Sequence, residues 1–194
     1  MTRRLFLVRH CQSEANADGR LEGGGDSPLS EIGRELARRV AAFVASRDIG
    51  AATLIASPLS RARATAAEIA ALCGWSPRHD PRIRECECGW MEDMSYADVR
   101  THMVENQLTV LDHEVHGGES LDALAERCWE ALSEVLAVTE GPLVAVSHGF
   151  AIHALVERRF GQTLAMTQIG NGDVIELWIE GGEVTGPPTR YPLT

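Results

Sequence analysis

The chain has 194 residues, 44% of them hydrophobic, which is enough to bury one sizeable core and is most simply a single domain spanning 1–194. Its 18 Lys+Arg against 28 Asp+Glu leave a formal charge of −10. Nucleic acid and anionic membranes, which require a basic face, are therefore not expected partners. No run approaches the roughly 20 apolar residues a membrane span needs, and the apolar run at 5–8 is too short for a signal peptide. The cysteines (Cys11, Cys73, Cys86, Cys88, Cys128) are odd in number and scattered, so no disulfide framework is expected and the chain is assigned to a reducing cytoplasm. Cys86 and Cys88, one residue apart, lack the spacing of a zinc or redox pair and read as buried thiols.

Four apolar residues at 5–8 read as a short buried strand of a parallel sheet, with Arg9 and His10 directly after it. In open α/β sheets the ligand crevice lies beyond the carboxyl ends of the strands. A guanidinium fork binds two phosphate oxygens and a neutral imidazole can attack phosphorus, so the pair suits phosphoryl transfer. The competing reading is a surface Arg-His pair after an edge strand, and this stretch alone leaves the two even. Residues 18–28 hold Gly19, Gly23, Gly24 and Gly25 and read as a loop. Ser30 caps a predicted helix to about residue 47, with Ile32, Leu36, Val40, Phe43 and Val44 at helical spacing. A second strand follows at 53–56. Pro58 is read as opening an Ala-rich helix that ends near Gly74.

Periodicity weakens from 77 to 118. One helix fits 96–106 with Ser95 as its cap, and residues ~86–118 are read as a lid-like excursion over the carboxyl edge of the sheet. Ser120 caps an amphipathic helix through 138, and a third strand at 142–146 leads to Ser147, His148, Gly149 and a helix to about 160. Residues 174–179 and Val184 flank Gly181-Gly182 as a terminal hairpin. The alternation predicts a three-layer α/β/α sandwich with a mainly parallel sheet.

Parallel strands would bring three tips to one crevice: Arg9-His10, the segment from Ser57 to Arg61, and Ser147-His148-Gly149. Two arginines and two histidines repel one another unless an anion fills the space between them, which points to a phosphate pocket. No G-x-S-x-G elbow supports a serine triad, and adjacent arginines oppose a divalent cation, so no metal is expected.

Six stretches carry a resemblance. Residues 7–16, Leu-Val-Arg-His-Cys-Gln-Ser-Glu-Ala-Asn, resemble the R-H-G-x-[TS] signature of the histidine phosphatase superfamily, which includes phosphoglycerate mutases and many small phosphatases. Residues 26–33 resemble its D-x-P-L-T-x-x-G link, and residues 57–66 its S-x-L-x-R-A-x-x-T-A helix. Residues 84–92 resemble its acid loop, while 117–120 and 146–149 resemble the last two motifs. The match runs in order over about 3–160. Two departures stand out: Cys11 replaces the usual glycine beside the histidine, and the acid loop lacks its usual final glycine.

The resemblance implies a phosphoglycerate mutase-like fold with His10 as nucleophile. Arg9 and Arg61 would hold the phosphoryl oxygens, with His148 as a further donor. Ser13, Asn16 and Gly149 complete the implied phosphate contacts, though Ser13 equally fits a helix cap. Glu85 is the implied proton donor, with Glu87 as its nearest competitor. His79, His102, His113 and His116 sit in the irregular middle, and His153 reads as a packing histidine. Glu119 and Ser120 read as a helix start, and Trp90 and Tyr96 as pocket-lining or packing aromatics.

The expected function is a metal-independent phosphomonoesterase that hydrolyses a small-molecule phosphate monoester through a phosphohistidine, without a cofactor. The alternatives are phosphoglycerate mutase-type transfer and a non-catalytic phosphate-binding interaction protein. A homodimer is compatible with this reading. Between Cys86 and Glu126 the only Lys or Arg is Arg100, against ten acidic residues. A second anionic group on the substrate would lack a cation there, so the expected substrate carries one phosphate on a neutral or cationic body.

Overall fold

The computed structural model describes residues 2–109, 111, 114 and 117–193. In chain order its elements are β1 (Arg3–Arg9), α1 (Glu14–Ala17), α2 (Glu31–Ala45), β2 (Thr53–Ala56), α3 (Ser60–Cys73), β3 (Arg78–His79) and α4 (Tyr96–Asn106). They continue with α5 (Leu121–Val138), β4 (Leu143–Ser147), α6 (Gly149–Ala154), β5 (Val174–Glu180), β6 (Glu183–Val184) and β7 (Thr189–Tyr191). The sheet runs β3-β2-β4-β1-β5-β6, with β7 also on β5. β3, β2, β4 and β1 are parallel, and β5 pairs antiparallel with β1. The parallel centre is as predicted. The terminal hairpin does not stand apart, however; its first strand extends the sheet beyond β1.

Period-two alternation builds the two helical layers. On β1, Leu5 and Leu7 face one core while Phe6 and Val8 face the other. On β4, Leu143 and Ala145 join the first, and Val144 and Val146 the second. Leu36, Val40 and Val44 of α2 and Ala62, Ala66 and Ile69 of α3 cover the second face. Leu124, Leu132 and Val135 of α5, with Ile152 of α6, cover the first. The result is the α/β/α sandwich.

Three expectations shift in detail. The Ala-rich helix begins at Ser60 rather than Pro58, because Leu59 is extended (φ −64, ψ 139) and has no capping side chain. Asp26 supplies the cap from a distant loop: Ser60 N donates to it at 2.7 Å and Ser60 Oγ at 2.8 Å. The helix after β4 changes hydrogen-bonding pattern, with a π-type turn over Leu155–Arg159. The excursion is packed down, since Cys86, Cys88, Met91, Val99 and Met103 are core residues. Backbone bonds also tie it to the loop after α1: Asp93 N to Leu21 O, 2.7 Å, Leu21 N to Met94 O, 2.8 Å, and Tyr96 N to Gly19 O, 2.8 Å.

Gly33 fixes α2 against the segment after His10. A Cβ there would lie 1.9 Å from the Gln12 carbonyl oxygen. Ser30 N donates to that same carbonyl, at 3.0 Å, while Ser30 Oγ accepts from Gly33 N as the helix cap. No helix among the described residues is long and apolar enough to cross a membrane.

Candidate active site

The tips of β1 and β4 and the first turn of α3 converge on a cavity of ≈ 530 Å³. Arg9, His10, Asn16, Arg61 and Glu85 line it, together with residues that the sequence did not single out, notably Glu22 and Asn171.

His10 is 3% exposed. Its Nδ1 lies 2.8 Å from the carbonyl oxygen of Cys11, an acceptor only, so Nδ1 carries the proton. Arg61 Nε donates to His10 Nε2 at 3.3 Å, which leaves Nε2 as the nitrogen with the lone pair. Burial, then the Arg61 and Arg9 guanidinium groups, hold the His10 pKa well below its ordinary value. The imidazole is thus neutral, with its nucleophilic nitrogen beside a guanidinium. Cys11 is no rival nucleophile: burial pushes its thiol pKa up to about 12. Its departure from glycine is absorbed simply. The side chain packs in the core under α2 and α3, and its amide donates to Thr65 Oγ1 at 3.1 Å.

Arg61 is 1% exposed, and carbonyls hold its guanidinium: Nη1 to Gly25 O, 2.7 Å, and Nη2 to Gly23 O, 3.0 Å. Arg9 donates through Nη1 to Ile169 O, and its buried Nε has no partner among the described residues. His148 packs on His10 with ring centroids 5.0 Å apart. Its Nε2 lies 2.7 Å from Ser57 Oγ, which itself accepts from Leu59 N at 3.3 Å. His148 Nδ1 is buried without a partner among the described residues. Burial, then the His10, Arg61 and Arg9 neighbours, lower the His148 pKa well below its ordinary value. Arg9 Nε is thus a buried donor, and His148 Nδ1 a buried ring nitrogen, with no partner among the described residues. A tetrahedral oxyanion would satisfy Arg9 Nε, and would satisfy His148 Nδ1 when that nitrogen carries the ring proton.

Glu85 is buried where β4 leads into α6. Its Oε1 accepts from Cys86 N (2.9 Å) and Ala151 N (3.2 Å), and its Oε2 from Phe150 N (3.3 Å). Arg127 fixes the backbone of that loop, donating to Arg82 O, Arg84 O and Glu85 O while its Nε and Nη2 grip Glu119 at 2.6 Å. Glu87 is exposed and paired with Arg84, away from this cavity. Of Glu85 and Glu87, only Glu85 lines the cavity that holds His10.

The remaining candidates divide. Asn16 lines the cavity and accepts from Asn171 Nδ2 at 3.0 Å, and Asn171 also donates to His10 O at 3.2 Å. Ser13 does not line it: its Oγ caps α1 and donates to Glu22 Oε2 at 2.8 Å, so the cap alternative holds. Gly149 also stands off the cavity, and a Cβ there would meet Met166 Cε at 2.6 Å and the Arg9 guanidinium carbon at 3.5 Å. Its place is to let α6 approach Arg9 closely. Tyr96 is on the cavity wall, whereas Trp90 stacks edge-on against His102 outside it. His79 is exposed at the sheet edge and His153 is buried against Leu164 O. His113 and His116 lie outside the described residues. Ser120 caps α5 as expected.

A parallel-centred α/β/α domain with a neutral histidine, two arginines and orphaned buried nitrogens at its strand tips is of the phosphoryl-transfer class. Residues 5–185 match the family model described as histidine phosphatase superfamily (branch 1), and the chain belongs to that superfamily. It is 40% identical over 158 residues to a probable phosphoglycerate mutase of Photorhabdus laumondii, covering 78% of this chain and 72% of that protein. A Serratia proteamaculans protein of the same description is 37% identical over 163 residues, covering 81% and 74%. Among solved structures, a mycobacterial glucosyl-3-phosphoglycerate phosphatase superposes with TM-score 0.76 at 26% identity, covering 92% of this chain and 91% of that one. A phosphoglycerate mutase from Bacillus anthracis shares the fold, with TM-score 0.80 at 19% identity over 97% of this chain and 92% of that one.

Proposed function

We propose that the protein is a phosphomonoesterase that works through a phosphohistidine on His10 and needs no metal. The observation that carries this is the tautomer of His10: Nδ1–H is fixed on Cys11 O, and the unprotonated Nε2 accepts from Arg61 Nε at 3.3 Å, a bond it exchanges for phosphorus on attack. In the first step the Nε2 lone pair attacks phosphorus and the bond to the ester oxygen breaks. Glu85 is the group placed to pass a proton to the departing alkoxide. In the second step water attacks phosphorus, Glu85 takes its proton, the P–N bond breaks, and neutral His10 and phosphate are regenerated. Arg9, Arg61 and His148 stabilise the charge on the three phosphoryl oxygens.

The cavity wall favours hydrolysis over phosphoglycerate mutase-type transfer. Apart from Arg9 and Arg61, no described Arg or Lys lines it to hold a second anionic group.

The test is rapid-quench trapping with a phosphoryl-labelled ester. Label should be retained in base and lost in acid, as a phosphorus–nitrogen bond behaves. His10→Ala should trap nothing and lose at least roughly 10³-fold in kcat, and EDTA should leave the wild type active. Full activity in His10→Ala, or a chelation loss that added metal restores, sinks the mechanism.

A further inference from the structure

Beyond the phosphoryl group, the cavity wall changes character. Leu21, Val99, Phe150, Met166 and Ile169 line it, with the exposed Tyr96. Embedded in this wall is one acidic side chain that the proposed mechanism does not use. Glu22 is 8% exposed and 2.9 Å from Arg61 Nη1. Its carboxylate is clamped on every side: Oε1 accepts from Ser27 N (2.7 Å) and Ser27 Oγ (2.6 Å), and Oε2 from Ser13 Oγ (2.8 Å). It is therefore a fixed anion one guanidinium away from His10 Nε2.

The charges along this wall leave no cation to spare. Two guanidinium groups, Arg9 and Arg61, face two carboxyls, Glu22 and Glu85, and Glu85 serves as the acid. A phosphate monoester brings up to two negative charges and occupies both guanidiniums. A carboxylate or second phosphate on its alcohol part would then lie unpaired in an apolar cleft beside Glu22. Like charges separated by about 6–8 Å at an effective dielectric of about 20–40 repel enough to cost about sixfold to about a hundredfold in binding.

Resting on the phosphatase reading, we propose that the site takes phosphate monoesters with an uncharged, apolar alcohol part, and that Glu22 is the residue that turns anionic alcohol parts away. Glu22 acts as a specificity-determining residue, through the field it sets up in the wall and through its hold on Arg61. The apolar wall supplies affinity by removing alcohol surface from water.

Three primary alkyl phosphates test this without changing leaving-group chemistry: benzyl phosphate, glycerol 3-phosphate and 3-phosphoglycerate. In the wild type, kcat/KM should fall in that order, by roughly tenfold at each step. Glu22→Gln keeps the shape. Its amide oxygen can still accept from Ser27 and Arg61, and its NH₂ can donate to Ser13 Oγ, whose hydroxyl rotates to accept. In this variant the gap between glycerol 3-phosphate and 3-phosphoglycerate should shrink to about threefold, while the benzyl preference stays.

If 3-phosphoglycerate matches or beats benzyl phosphate in the wild type, or if Glu22→Gln moves all three esters equally, the proposal is overturned. A general loss of phosphoryl binding from a displaced Arg61 would move all three and leave the ratios intact. Binding of unreactive phosphonates, measured by calorimetry on the wild type, keeps the test independent of turnover. Benzylphosphonate should bind at least tenfold tighter than 3-phosphonopropionate, and the reverse order sinks the proposal even with an active enzyme. Failure of the phosphatase reading shows differently: no phosphoenzyme, and no hydrolysis of any ester.

Discussion

The two halves of the cavity are built by different means. In the phosphoryl half, Arg9, His10 and His148 continue directly from strand ends, and Arg61 sits in the first turn of α3. Each is locked by a directional bond: His10 to Cys11 O, Arg61 to Gly23 O and Gly25 O, Arg9 to Ile169 O, His148 to Ser57 Oγ. In the alcohol half, the wall comes from the loop after α1, from α4, and from the turn over Met166–Gln168, and Tyr96 is 45% exposed. There the contacts are apolar and non-directional. On the proposed function, the first half is preorganised for charge that develops in transfer and would set rate. The second would sort substrates by fit and charge and so set selectivity, with Glu22 touching Arg61 of the first half.

Mutations in the two halves should therefore leave different kinetic signatures. The largest effect is expected at Glu85. Glu85→Gln should lose about 10²–10⁴-fold in kcat on alkyl phosphates and much less on aryl phosphates, whose leaving oxygen needs little protonation. The ratios among uncharged and anionic esters should hold, because the alcohol wall is untouched. Glu87→Gln, at an exposed ion pair outside the cavity, should stay close to wild type. A crippled Glu87 variant beside an active Glu85 variant would transfer the acid role to the wrong side of the loop and break the comparison.

Gly33→Ala comes next. Its Cβ cannot coexist with the Gln12 carbonyl oxygen 1.9 Å away, and overpacking of this kind costs about 1–3 kcal/mol. Because Gln12 follows the nucleophile, the strain enters the phosphoryl half. Urea unfolding should show a lower midpoint, and kcat should fall with the selectivity ratios unchanged. A variant of wild-type stability and rate would mean that α2 moves freely with respect to the nucleophile loop.

The smallest effect concerns pH. His10 and His148 have folded pKa values held well below their ordinary value, chiefly by burial. Unfolded, each takes up a proton near pH 6.5 while the folded form stays neutral, so acid favours unfolding. Stability is fully present above about pH 6.5 and falls below it, by at most about 1.4 kcal/mol per pH unit for each histidine. His10→Asn should flatten that slope in thermal melts between pH 6.5 and 5. In the same window kcat/KM should lack an inflection from His10, since Nε2 remains unprotonated there. A rate loss centred at pH 6.5 that tracks His10 titration contradicts the neutral nucleophile.

Much of the phosphoryl half was legible along the chain. The apolar run before Arg9-His10 and the one before Ser147-His148 each announce a buried strand, and chemistry at their carboxyl ends follows from the parallel arrangement. Ser30, Ser95 and Ser120 were readable as caps because capping is a contact over three residues. The resemblance favoured Glu85 over Glu87, but what seats Glu85 on the cavity wall was not readable: Phe150 N and Ala151 N lie more than sixty residues further on. Ser13 shows the same limit, since only the partner Glu22 reveals its hydroxyl to be spent away from the cavity.

By itself, then, the sequence determined the alternation of strands and helices, the two-faced core and the identity of the central histidines and arginines. Those properties come from periodicity and from local bonds, which neighbours in the chain control. Only the tertiary structure decided that Glu22 stands beside Arg61, that Asn171 ties His10 O to Asn16, that Arg127 holds the Glu85 loop, and that Asp26 caps α3. Each of these joins segments far apart in sequence. Such contacts form where packing of the two helical layers brings loops together, and no spacing pattern along the chain encodes which charged side chain will find which partner.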